Sequence, residues 1–451
     1  MRVLTPLLLL LPALALAQVQ QLGEGRDGPL DVTALDTIVN AASALTADAA
    51  AGDPLVTVAD STPFSAGAMV LVMQTQWKSD GERYRIGEYS LHFIERVIGP
   101  RLQLATPLNR PFKMGEAQAV LVPQYTDVTV RAGASLVAPA WNGSSGGVLA
   151  LVATGAFRND GQVSATGQGF RGGTAREVAE REAGCVGEDE PAPRGSERGE
   201  GALVGGFGTS FTGRRNNDSG GGGGVCTFAG GGGGASLGEG GQGGFSADAR
   251  RDVGGVGGQA LTFSGLVLGG GGGASNGALG KGRSGARGGG AVFVRARSLD
   301  GAGAFVSNGS DGPPTDARTG GGGGAGAAGS IVIEVIDDAR CKLFAVGGAG
   351  GAATDQGPGG GGGGGLTSLR AGKVLECPMS VAGGPSGTVG SMALGAQPGL
   401  AGKTSVLEVG SKTMPFASGP GATLTRLGCG CSGVEGSSLL VMLVLLRRRR
   451  R

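Results

Sequence analysis

A single histidine, His92, is all the imidazole in this chain of 451 residues. A Ser-His-Asp or Cys-His mechanism would have to use it, yet it sits in LHFIER as an ordinary strand position, which speaks against nucleophilic catalysis. Zinc is short of ligands for the same reason. Aromatic side chains are few as well, with 14 Phe, 3 Tyr and 2 Trp, so a row of sugar-stacking rings has little to draw on. Nor does one sign of charge prevail: 38 basic residues face 36 acidic ones, and five of the basic ones are Arg447 to Arg451. No basic patch interleaved with aromatics stands out, which excludes nucleic acid as a partner. No apolar run reaches the ~20 residues of a spanning helix.

What the chain has in excess is glycine. There are 98 glycines, about three times the usual share of roughly 7%. Only 10 of them lie in residues 22–140 and none precedes these, so 88 follow residue 140. The chain thus has an ordinary front and a glycine-rich back.

The front reads as short strands: LVTVAD from Leu55, MVLVMQTQ from Met69, YSLHFIERV from Tyr89, RLQLATPL from Arg101, QAVLVPQY from Gln118 and DVTVRAG from Asp127. Six strands in about 75 residues predict a small, mainly antiparallel β barrel or sandwich over residues 18–140. Behind it, residues 146–169 (GGVLALVATGAFRNDGQVSATGQG) set out a unit of glycine pair, strand, turn, strand and glycine. The unit returns from Gly289 as GGAVFVRARSLDGAGAFVSNGSDG and, more loosely, from Gly329 as GSIVIEVIDDARCKLFAVGG. Two short strands cannot bury their own apolar face, so the recurrence predicts stacked copies. The fold expected is therefore all-β: the small front domain, then a glycine-rich parallel β-solenoid over residues 141–410 with long glycine-rich loops. Trp141, at the junction, is expected to pack over the first rung, with sugar stacking as the alternative.

Glycine runs separate the strands at residues 220–224, 230–234, 269–273, 320–324 and 359–365. Two readings stand. They are flexible low-complexity loops, or they are extended polyglycine segments whose backbone groups bond to neighbours because no side chain holds the chains apart. LAGKTS, from Leu400, ends like a phosphate loop but has Gln397 in place of the first glycine, and is rejected as one. Residues 171–215 are a charged insertion, read as a solvated excursion. Within it Glu188, Asp189 and Glu190 lack the spaced pattern of a calcium site. Four cysteines in the body allow three connectivities; Cys185 with Cys226 and Cys341 with Cys377 are expected, since each pair closes a loop of about 40 residues. The carboxylates Glu334, Asp337 and Asp338 are the candidates for a paired-acid enzyme on the solenoid, against a reading as ordinary strand-end charges.

Both ends read as addresses. Residues 1–17 (MRVLTPLLLLLPALALA) have the basic start, apolar core and small-x-small ending of a secretory signal cleaved between Ala17 and Gln18. After a linker at 411–427, residues 428–451 carry Cys429 and Cys431 in GCGCSG, a 13-residue apolar segment from Val434 to Leu446, and the five arginines. As helix that segment spans about 20 Å, short of the ~30 Å hydrocarbon core.

This tail resembles the myxobacterial carboxy-terminal sorting signal of cysteine motif, short apolar helix and arginine cluster. The resemblance implies processing by a membrane sortase-like protease near Cys429 or Cys431, lipid attachment there, and display at the outer membrane. Further in, VPQY (Val122 to Tyr125), PAWNG (Pro139 to Gly143) and GFRGG (Gly169 to Gly173) follow in that order within a region, from about Ala49 to Gly173, that resembles glycine-rich adventurous gliding motility proteins of myxobacteria. That likeness supplies no catalytic, cofactor or metal residue. The expectation is a cell-surface structural or adhesive protein without a cofactor, meeting extracellular polysaccharide or a neighbouring cell. A secreted polysaccharide-acting enzyme and a carbohydrate-binding module are the alternatives.

Overall fold

The computed structural model describes residues 22–78, 83–175, 195–246, 253–262, 265–278 and 280–409. Outside them lie Ala17 and Gln18, Cys185, Glu188, Asp189 and Glu190, and the tail with Cys429 and Cys431. Among the described residues the regular structure is all strand apart from one 3-10 turn at Arg83–Arg85.

Two parallel sheets form the solenoid. The main path of the larger runs Leu30–Val32, Val128–Val130, Val148–Asn159, Ala291–Asp300, Ser330–Val335, Leu366–Ala371 and Lys403–Glu408. The smaller runs Ser135–Val137, Gln162–Ser164, Ala304–Val306, Leu343–Phe344 and Met379–Ser380. Ala291, Ser330, Leu366 and Lys403 stand in register although 39, 36 and 37 residues separate them. Each circuit therefore visits the large sheet, then the small one, then a glycine-rich excursion. Leu149, Leu151, Val292 and Val294 pack against Leu136, Val163 and Phe305 between the sheets. Val148, Ala150, Val152 and Phe293 face the other way and pack against Met69, Leu71 and Val120 of the front. Burial on both faces is why VLALVA is a continuous apolar run rather than an alternating one. Each such Val or Leu contributes about 1.5–3 kcal/mol.

Five of the six front runs, together with a further strand Ala42–Ala44, form a six-stranded antiparallel sheet ordered Ala42–Ala44, Ala117–Val122, Met69–Gln74, Tyr89–Ile98, Arg101–Leu104 and Leu55–Thr57. Its end strands are linked by an antiparallel bridge between Leu45 and Val58, so the sheet curves around Val56, Val70, Leu102 and Phe112. The sixth run does otherwise: Val128–Val130 of DVTVRAG pairs in parallel with Leu30–Val32 and with residues 157–159 of the long strand. The boundary expected at residue 140 thus falls inside the stack, and residues 146–169 are not its first rung. Trp141 accordingly seals no end. Its side chain is buried in the layer between the large sheet and the front sheet, edge-on to Phe170 at 5.5 Å.

What finishes the near edge of the long strand is a set of side-chain amides. Gln118 accepts from Gly146 N (2.8 Å) and donates to Gly146 O (3.1 Å). Asn40 accepts from Ala150 N (3.1 Å) and donates to Ala150 O (2.6 Å). The Pro123 carbonyl takes Val152 N at 3.0 Å. Backbone groups that an edge strand would leave open are thereby satisfied.

The glycine runs are ordered and buried, as the second of the two sequence readings has it. From Gly321 to Gly329 the amides donate in rotation to three neighbours. Gly321, Gly324 and Ala327 donate to Asn276, Gly273 and Gly270; Gly322, Ala325 and Ala328 to Gly357, Gly360 and Gly363; Gly323, Gly326 and Gly329 to Pro313, Ser310 and Ser307. A direction that repeats every third residue, with no bond inside the segment, is the geometry of a polyproline II-type helix. Residues 230–234 are bonded through every amide and carbonyl. They donate to Gly244, Gly322, Gly222, Gly241 and Ala325 and accept from Gly255, Gly360, Gly273, Gly258 and Gly363. Only glycine permits this: a Cβ on Gly273 would run into the Gly222 carbonyl, and one on Gly324 into that of Gly232. The result is a third layer whose cohesion comes from backbone hydrogen bonds, each contributing about 0.5–1.5 kcal/mol net.

Covalent and ionic ties complete the assembly. Cys341 and Cys377, on successive circuits, form a disulfide with Cα atoms 4.5 Å apart and a sequence separation of 36. A loop of that length loses about 4 kcal/mol of unfolded-state freedom in the chain-entropy view. Cys226 is disulfide-bonded too; its expected partner, Cys185, is outside the described residues. Between front sheet and glycine layer, Asp218 accepts from Trp77 Nε1 at 2.6 Å and from Arg83 Nη2 at 2.6 Å.

Candidate functional site

Where the chain leaves the front sheet and enters the stack, residues 122–125 turn past the N-terminal segment and open a cleft of about 370 Å³. Its walls include Arg26, Asp27, Pro63, Pro123, Gln124 and Tyr125. The short strand Gln124–Tyr125 is held against residues 152–153 of the long strand, which fixes both side chains. Gln124 is wholly buried and acts as a brace: its Nε2 donates to Gly67 O (3.0 Å) and its Oε1 accepts from Glu24 N (3.0 Å). The N-terminal segment is pinned by a reciprocal pair, Gln124 N to Asp27 Oδ2 at 2.7 Å and Asp27 N to Gln124 O at 3.0 Å.

Three polar residues, Arg26, Asp27 and Tyr125, line the cleft beside that frame. Arg26 donates one Nη1 bond to Ala66 O at 2.9 Å and lies 3.9 Å from Asp27 Oδ1. Tyr125 is 8% exposed, and its hydroxyl makes no hydrogen bond among the described residues. Burial pushes its pKa up to about 12, with the Asp27 charge adding to the effect, so the hydroxyl keeps its proton. The cleft is thus braced from beneath and lined by Arg26, Asp27 and Tyr125 among others.

The residues singled out from sequence are placed elsewhere. His92 is buried, its ring nitrogens 2.9 Å from Thr106 Oγ1 and Ser90 Oγ. Desolvation drives its pKa down to about 4, as for a packed neutral imidazole. Glu334 is bound to Arg295, with Oε2 2.6 Å from Nη2 and 2.8 Å from Nε, within a packed face. Asp337 lies half-buried in the bend before the strand Asp338–Arg340 and Asp338 stands exposed at its start, so of the three only Glu334 lies within the packed face. Among the described residues no three His, Cys, Asp or Glu side chains converge as a metal site. LAGKTS is extended: Gly402 and Lys403 donate to Val381 O and Gly365 O, and Lys403–Glu408 is a strand. Nothing in the sequence announces the cleft: VPQY gives no sign that Arg26 and Asp27 fold back beside it.

No family model matches this chain, and no curated protein matches it either. Two solved phage tailspikes are similar in part. One is the Gp54 tailspike of Acinetobacter baumannii bacteriophage AP22, in complex with A. baumannii capsular saccharide, at 12% identity and TM-score 0.19 over 84% of this chain. The other is the gp61 tailspike of Pseudomonas phage phi297, at 10% identity and TM-score 0.17 over 78% of this chain. The alignments span 61% and 60% of the tailspikes' own lengths. At TM-scores this low the likeness carries no inference about this chain.

Proposed function

We propose that this protein is a cell-surface structural or adhesive element, exported and then anchored, that contacts extracellular polysaccharide or a neighbouring cell without performing catalysis. The observation that carries the reading is the glycine layer. A body whose interior is joined by backbone hydrogen bonds in three directions, and stapled between circuits by Cys341–Cys377, is built for stiffness. Disulfides persist in oxidising surroundings, which suits an exterior location. Glu334, one of the three acid candidates, is ion-paired with Arg295, which fits a structural role for it better than that of a free carboxylate.

The route to the surface is part of the proposal. Cleavage between Ala17 and Gln18 releases the body outward, and a membrane sortase-like protease handles the tail at Cys429 or Cys431. The resemblance to myxobacterial glycine-rich motility proteins supports a role in gliding or cell–matrix contact. Fractionation of cells with mass spectrometry of the mature protein is the test. The reading expects surface recovery, a start at Gln18 and a tail shortened or modified near the cysteines, with Cys429→Ala/Cys431→Ala losing display. Unchanged display and unchanged mass in that double variant would refute the sorting step; a protein retained in the cytoplasm would refute the function.

A further inference from the structure

We propose that residues 411–417 of this chain, whatever its route of export, close the far end of the stack by adding one more turn to the small sheet, with Phe416 over the core.

Stacked repeats need a cover where the stack ends, and at the end the chain reaches last the final rung is half built among the described residues. In the large sheet Val294, Ile333, Leu369 and Val406 stand in one column. The first three are at most 1% exposed, whereas Val406 is 52% exposed. Leu369 packs in the core between the two sheets, so Val406, on the same face, looks into that core from its last rung. The facing column of the small sheet runs Phe305, Leu343, Met379 and stops one rung short. Its backbone is open there too. Leu343 N and Ala345 N donate to Pro378 O at 3.0 Å and Ser380 O at 2.9 Å. Alternate residues of a parallel strand turn to opposite neighbours, so Met379 N and Val381 N point outward past Met379–Ser380 and call for acceptors.

Register selects the occupant. Ser330, Leu366 and Lys403 lie side by side in the large sheet, and Leu343 and Met379 follow the first two by 13 residues each. Thirteen residues past Lys403 stands Phe416, an apolar side chain of the size that column holds. The phrase recurs with it: Cys377-Pro378-Met379-Ser380 is matched by Met414-Pro415-Phe416-Ala417. Pro415 O and Ala417 O thus fall where Met379 N and Val381 N point. Outside the core a ladder of charges alternates in sign, with Arg340 3.4 Å from Asp300 and 2.7 Å from Glu376. The next position in that ladder is Lys412, of the sign that follows Glu376. A second copy could pair with the same open edge, but residues 411–417 continue directly from the strand Lys403–Glu408, so this cover is present at high effective concentration in every molecule.

Amide hydrogen exchange read by mass spectrometry, with sizing of the full purified chain, tests this. In a monomer, the amides of Met379, Val381 and residues 411–417 should exchange at least about tenfold more slowly than an open chain. Phe416→Ser should abolish most of that protection, about tenfold, since burying a phenylalanine side chain is worth at least so much, while Ala291–Asp300 stays slow. Phe416→Leu should keep most of it, which separates a lost cover from a misfolded variant. Ser380→Cys/Ala417→Cys should close a disulfide within one chain. Open-chain exchange of residues 411–417, or protection indifferent to Phe416→Ser, would overturn the proposal. So would protection of Met379 and Val381 that belongs to a dimer and vanishes on dilution, the mark of a second copy as the cover.

Discussion

His92 shows how a residue that invites a catalytic reading is accounted for by packing alone. Its neighbours are hydroxyls, from Ser90 and Thr106, and no carboxylate orients it. Desolvation lowers its pKa to about 4, the Thr106 hydrogen bond only partly opposing it, whereas an open chain titrates near 6.5. The unfolded chain thus takes up a proton as pH falls through about 6.5, and the folded chain does not until about 4. Stability from this residue is complete above about pH 6.5 and drains away on acidification, by on the order of 3 kcal/mol at about pH 4. Urea unfolding of the wild type between about pH 7 and 4.5 should show that loss, and His92→Gln should lack that component. Parallel pH curves for the two proteins would contradict the assignment. Tyr125 is the opposite case. A tyrosine in a four-residue phrase has no visible role until the fold sets Asp27 beside it.

At the scale of elements, the long strand Val148–Asn159 depends on the front sheet for its near edge. Gln118 and Asn40 each lend a side-chain amide where a neighbouring strand would otherwise lie. Replacing Asn40 with leucine leaves Ala150 N and O buried and unpaired, at a cost of about 1–3 kcal/mol per group. Gln118→Leu should cost as much at Gly146, and chemical denaturation would measure both; losses under ~0.5 kcal/mol would mean the amides are incidental. Which elements were legible in the sequence follows from their side chains. VLALVA, AVFVRA and SIVIEV are buried on both faces and read clearly. LTSLRA and KTSVLE, which extend the same sheet, do not. Thr367 and Ser368 are buried but polar, and the last strand is exposed at alternate positions. DVTVRAG alternates like a front strand, and alternation says nothing of which sheet a strand will join.

For the whole molecule, the glycine layer was the least legible part. Periodicity is a pattern of side chains, and these segments have none, so only an accounting of backbone donors and acceptors separates a loop from a packed bundle. That accounting closes in the structure: residues 230–234, 269–273, 320–324 and 359–365 are buried, with their amides bonded to other segments save that of Gly320, which closes a local turn on Ala317. The layer rests on the large sheet through Leu266, Val267 and Leu268, so stack and bundle form one body. The most direct measurement is amide hydrogen exchange across these runs in the intact protein. Bonded, buried amides open only with the surrounding structure. The account predicts that Gly231 to Gly234, Gly270 to Gly273 and Gly360 to Gly363 exchange as slowly as the strand Ala291–Asp300. Exchange at the rate of an unstructured glycine chain, with the strand still protected, would contradict it.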